Sequence, residues 1–224
     1  MNTAVWFGKC GVLIQSLCLA VFLVSAPNAF GESSAIALIN AKVFNGIDNK
    51  IFKGTTVLVN NGHIESLSTS ASSIPAGYAV IDLAGYYLMP GLFDVHTHID
   101  TLDQAKRALA SGVTTVRSAS VPAFQDIALR ELSRSGAIPG PDVVATGVYV
   151  TPNLEGSILA DPRLAQFSQG VLTEDELRKL VQINIDRGVD FIKTRGTERA
   201  GLPTTDPRKQ VYSQSQLRAV VEQA

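Results

Sequence analysis

Apolar and polar positions along this chain keep two different rhythms. Between residues 35 and 88 they alternate loosely, as in IALINAKVF and TVLVNNGHIESL, which is the period-two pattern of half-buried strands. Asn61-Gly62 divides two apolar runs, and that dipeptide favours a two-residue primed turn, so a hairpin is predicted there. His63 follows the turn as a polar residue of the hairpin.

From Leu88 the rhythm changes to short apolar runs separated by amphipathic stretches. LMPGLFDVHTHI reads as a first strand, apolar enough to be buried on both faces, and LDQAKRALASG as a helix stopped by Gly112. VTTVRSAS, DVVATGVYV and VDFIKTRG read as three further strands. FQDIALRELSRSG supplies a helix ending at Gly136. TEDELRKLVQINIDRG supplies another, with Thr173 and Glu176 as a capping box, Leu177, Leu180 and Val181 on one face, and Gly188 as its stop. SQSQLRAVVEQA opens a fourth helix on the Ser213 and Gln216 box. Regular alternation of strand and helix predicts a parallel sheet with crossover helices, an α/β fold.

The first thirty or so residues belong to neither rhythm. Lys9 precedes an apolar run from Gly11 to Val24, and Ala29-Phe30-Gly31 offers small residues before Glu32. This is the layout of a secretory signal peptide over residues 1–31; the run is shorter than the roughly 20 apolar residues a spanning helix needs. The prediction is export to the periplasm or the medium, with no membrane span after removal of the signal. Cys10 and Cys18 would leave with the signal, and the mature chain would then hold no disulfide.

Composition adds little beyond exclusion. A chain of 224 residues with 46% hydrophobic residues and a net charge of −1 is that of a globular protein, and nothing in it suggests a nucleic-acid partner. The chemistry concentrates in one place. Of three histidines, two stand one residue apart, His96 and His98, and in an extended strand they share a face with Asp94. Two imidazoles on one face can grip a single metal ion, or can be a pair of surface histidines on an edge strand. Asp94 can orient a histidine or only pair at the strand's start. In a parallel β/α barrel the strand ends bearing such residues gather at the active-site mouth.

A short β unit ending in IDLAGYYLMPGLFDVHTHI, followed by LASGVTTVR, IPGPDVVATG and VDFIKTRGTERAG, resembles the amidohydrolase superfamily of metal-dependent hydrolases. The nearest branch by these motifs is the imidazolonepropionase-like and prolidase-like one. The resemblance implies the first half of a TIM-type (β/α)8 barrel over residues 89–224, strands one to four only, preceded by a small β-sandwich unit over 32–88. It implies that His96 and His98 bind metal. It also implies that Lys193, at the end of the fourth strand, is carboxylated and bridges two divalent ions, zinc suiting the imidazoles. Desolvation favours the free amine that carboxylation requires. Two further histidines and the proton-handling aspartate belong to later strands, so no catalytic aspartate is expected within this chain. VYVTPNLEGS, which carries Tyr149 and Ser157, departs from the Gly-Gly-His that many members show in this loop. Arg195 and Glu198 follow on the next loop, where substrate groups could reach them, but read first as solvated surface residues.

Three functions follow as expectations. One is a metal-dependent hydrolase cleaving a C–N bond of a small amide, cyclic amide or dipeptide, with this chain an N-terminal part inactive alone, since SQSQLRAVVEQA ends without a helix stop. Another is a half-barrel remnant that binds or interacts without catalysis. A mononuclear deaminase-like member, which would not use the lysine, is the third; Lys193 argues against it.

Overall fold

The computed structural model describes residues 35–69 and 74–224. The proposed signal segment, residues 1–31, lies outside them. Among the described residues no helix is long and apolar enough to cross a membrane.

The period-two region forms a five-stranded mixed sheet. Strand β1 (Ile36–Val43) lies antiparallel to β2 (Phe52–Asn60), which turns back into β3 (His63–Ser68). The turn is the one the sequence predicts: Asn61 and Gly62 both have positive φ, 52° and 74°, and Asn60 pairs with His63 across it. Strands β4 (Ala79–Asp82) and β5 (Tyr87–Leu88) then lie parallel to β1. Ala41, Val43 and Val57 are the buried centre of this unit.

The second rhythm forms a parallel sheet of three strands, β6 (Leu92–Thr97), β7 (Val113–Ser118) and β8 (Asp142–Val144), in sequential order. Helix α1 (Leu102–Ala110) connects the first two and α2 (Gln125–Arg134) the next. Helix α1 starts on a capping box of Thr101 with Gln104, a T-x-x-Q signature. Gly112 and Gly136 follow these helices at φ of 88° and 72°, the left-handed conformation that closes a helix. Helix α3 (Glu174–Asp186) carries the predicted Thr173–Glu176 box, and its Leu177, Leu180 and Val181 are fully buried in the main core. Helix α4 (Gln214–Gln223) begins on Ser213 and Gln216 as predicted.

The strands differ from the sequence expectation in burial and in length. Strand β6 is not buried on both faces, since Phe93 and Val95 are 70% and 57% exposed. Only β7 pairs with it among the described residues. The third and fourth strands are also shorter than predicted. Regular pairing ends at Val144, and VDFIKTRG is reduced to a single parallel bridge, Val150 to Thr194. The cause is a set of side chains that take the backbone donors a neighbouring strand would have used. Ala145 donates to the Asp190 carboxylate (2.7 Å), Thr146 and Gly147 donate to Asp126 (2.9 and 3.0 Å), and Val148 donates to the Asn184 amide oxygen (2.9 Å). Asp126 and Asn184 are fully buried, so the three bonds they accept form away from competing water. The chain crosses this point through Gly147 at φ 66° and resumes extended structure only at Val150, whose N–H donates to the Lys193 carbonyl at 2.9 Å.

Candidate functional site

His96 and His98 leave the C-terminal end of β6 on one side of the extended chain, and their ring centres lie 5.6 Å apart at 68°. Both are exposed. Asp94 does not reach either ring; its carboxylate accepts the backbone N–H of His96 at 3.1 Å, a local turn bond.

The ring of His98 is held from the far side. Its Nδ1 lies 2.8 Å from the carbonyl oxygen of Ser120. A carbonyl can only accept, so Nδ1 carries the hydrogen and a neutral ring keeps its lone pair on Nε2, the state a metal ligand needs. Ser120 is fixed to serve this role. On one side the Ala119 N–H donates to Thr97 at 2.6 Å, and on the other the Val121 N–H donates to Gly147 at 3.1 Å. Between these bonds Ser120 adopts φ 99°, which a residue with a Cβ rarely takes, and the backbone strain is kept where it aims a carbonyl at an imidazole.

Lys193 reaches the same place from the fourth segment. It is half-buried and, with His98, lines a cavity of about 370 Å³ at the C-terminal end of the parallel strands. A larger cavity of about 650 Å³ adjoins it, and His98, Tyr149, Arg195, Glu198 and Arg199 line both. The loop after β8, which makes two short 3-10 turns over Glu155–Leu159 and Pro162–Phe167, supplies Thr151, Asn153 and Ser157 to the larger one. Asp161 anchors that loop. It is buried and pairs with both Arg163 (2.9 Å) and Arg187 (2.7 Å), and the Arg163 hydrogen bonds hold its carboxyl well below the usual carboxylate range.

Arg195 and Glu198 are therefore not solvated surface residues, as the sequence alone suggested; both are half-buried in the cavity wall. Glu198 pairs with Lys209 at 2.8 Å and accepts the Asp206 N–H at 2.9 Å, and these bonds, the Lys209 one foremost, lower its carboxyl pKa. Ser120 was missed because nothing local marks it. Arg195 is marked in the sequence by its place, since TRGTER directly follows the segment that ends at the barrel mouth.

The donor set suits a divalent cation. It comprises two imidazoles, one of them fixed in its ligating tautomer, and a lysine on the shared cavity wall. Among the described residues no group of three His, Cys, Asp or Glu side chains converges on a common point.

Parallel β/α units thus bring a histidine pair from the end of the first strand and a lysine from the fourth segment toward one end of the sheet, and comparison with known proteins places the fold. The amidohydrolase family profile matches residues 87–224, more than half of the chain, and the chain belongs to that family. Among curated proteins it is similar to the dihydroorotase of Chlorobaculum tepidum, 37% identical over 84 residues, which are 33% of this chain and 19% of that protein. It is also similar to the enamidase of Eubacterium barkeri, 34% identical over 94 residues, covering 37% and 24% of the two chains. Among solved structures, a prolidase complexed with N-methylphosphonate-L-proline superposes with a TM-score of 0.72 at 21% identity, covering 85% of this chain and 53% of that one. Phenylurea hydrolase B gives 0.65 at 22% identity, with 85% and 53% covered. These likenesses show the fold, the first half of a TIM-type barrel preceded by a β unit. The chain spans about half the length of the solved structures it matches.

Proposed function

We propose that this chain provides the metal-binding half of a hydrolase that cleaves a carbon–nitrogen bond in a small amide, cyclic amide or dipeptide. The observation that carries the proposal is that His98, with its tautomer set by Ser120, and Lys193 share one cavity at the strand ends. His96 and His98 would hold a divalent ion through their ring nitrogens, and Lys193, once carboxylated, would add an anionic oxygen ligand. A cation bound there, zinc by the chemistry of its imidazole ligands, supplies Lewis acidity and lowers the pKa of water. The cavity walls bind and orient the substrate, and the fixed His98 ring keeps the site from reorganising as charge develops.

The test uses the complete gene product, purified with zinc and assayed on dipeptides, cyclic amides and N-acyl amino acids, with a chelator control and the variants His96→Ala and His98→Ala. Turnover that the chelator abolishes, zinc restores and both variants lack is the expected result.

A second reading, a half-barrel that binds without catalysing, draws on the missing third ligand among the described His, Cys, Asp and Glu residues. It predicts ligand binding with no chelator-sensitive turnover by the complete protein.

Export belongs to the same proposal. The Lys9-to-Gly31 pattern supports a mature N-terminus near Glu32. Edman sequencing of periplasmic or secreted material checks it, and intact Met1 in a soluble cytoplasmic form would count against it.

A further inference from the structure

The wall between the two cavities carries a charge that no described carboxylate compensates. Arg195 lies two residues beyond Lys193 in the extended segment that bridges to Val150, so the two side chains leave the same side of the chain, and both line the smaller cavity. The Arg195 backbone N–H donates to Val150 at 3.1 Å, and its guanidinium sits over the Tyr149 ring, 5.1 Å from the ring centre. The head group is thus held in place by backbone pairing and by stacking.

Among the described residues it has no counter-charge. Three carboxylates line the larger cavity, those of Asp100, Glu155 and Glu198. Glu198 is taken by Lys209, and neither Asp100 nor Glu155 pairs with an arginine. Among the described residues no carboxylate lies within 4.0 Å of the guanidinium nitrogens of Arg195 or Arg199, and no protein acceptor takes an Arg195 side-chain N–H. Arg130, by contrast, is paired with Asp190 at 2.8 Å, and Arg117, stacked on Phe191, gives its Nε–H to the Val95 carbonyl. A planar fork of donors, half-buried, positioned and unpaired beside a reactive cavity matches a ligand carboxylate.

We infer that Arg195, with Arg199 beside it, is a specificity-determining residue that binds a carboxylate of the substrate, which selects N-acyl amino acids and dipeptides with a free C-terminus over neutral amides. The inference rests on the hydrolase reading for its meaning as substrate selection, but the anion site itself does not need turnover to be seen.

The experiment measures binding of N-acetyl-L-proline and of N-acetyl-L-prolinamide by titration calorimetry to the chelator-treated complete protein, so that no metal can take the carboxylate. The acid should bind about tenfold more tightly than the amide, the scale of one charge-assisted pair. That preference should fall to about twofold in Arg195→Gln, be partly kept in Arg195→Lys, and shrink with added salt. Arg199→Gln should lose a smaller share, and it reads the site even if Arg195→Gln fails to fold. Equal affinity for acid and amide in the wild-type protein overturns the inference. So does an acid preference that survives in both glutamine variants with native melting curves. Arginine-dependent acid binding without turnover of the zinc-loaded protein would support this site while removing the hydrolase reading. Chelator-sensitive turnover with no acid preference would do the reverse.

Discussion

His98 Nδ1 sits 2.8 Å from the carbonyl of Ser120, and Ser120 holds that carbonyl in place at φ 99°. The proposed metal ligand is thus oriented by a strained peptide twenty-two residues away, just past the end of the neighbouring strand. Ser120→Gly should relieve the strain and leave stability unchanged or higher by about 1 kcal/mol, while letting the carbonyl wander and weakening zinc affinity about tenfold. Ser120→Ile should lose about 1–3 kcal/mol, because a β-branched residue fits this conformation worst. Urea denaturation and competitive zinc titration of the two variants check both arms.

Lys193 separates a carboxylated bridge from a bystander. Lys193→Ala in the complete protein should lower the bound metal per chain, and bicarbonate should speed reconstitution of the unaltered enzyme but not of the variant. Metal analysis after dialysis measures the first. Full metal loading with normal activity in the variant would leave the lysine without this role.

Asp126 decides where the third strand stops. Its carboxylate accepts the N–H groups of Ile127, Thr146 and Gly147 in a fully buried setting. Asp126→Ala strands these donors and should cost about 3 kcal/mol or more, with Asp126→Asn milder because one acceptor remains. Gly147→Ala should destabilise as well. Its φ is 66°, and an added Cβ would come within 2.7 Å of Asn184 Oδ1 and 2.8 Å of the Phe124 ring. Thermal melts of the three variants give the ranking.

Acid should loosen the loop that walls the larger cavity. Arg163 and Arg187 depress the Asp161 carboxyl below its ordinary value, so the ionised form is the one folding favours. The stability this adds is fully present above the unfolded carboxylate pKa of about 3.9 and is lost as pH falls below it toward the depressed folded value. Asp161→Asn should therefore melt a few degrees lower than the unaltered protein at pH 7, and the gap should narrow steadily as pH falls from about 4 toward 2. A gap that stays constant across that range would mean the ion cluster does not stabilise the loop.

Most of the architecture is written locally. The Asn61-Gly62 turn, the Thr173–Glu176 and Ser213–Gln216 boxes, and the glycines at 112, 136 and 188 each act within a few residues, so periodicity and turn chemistry expose them in the sequence. His96 and His98 are legible for the same reason, since strand alternation alone puts them on one side. Three other features depended on residues distant in the chain. The collapse of the fourth strand to one bridge follows from Asp126, Asn184 and Asp190 capping backbone donors up to forty-five residues away. The tautomer of His98 follows from a carbonyl on the next strand, and the inward place of Arg195 from a tyrosine that folding sets beneath it. Local pattern fixes which elements form, because helix and strand bonds span few residues. Which side chains meet across those elements is decided only when the chain packs, because burial makes distant polar groups satisfy one another.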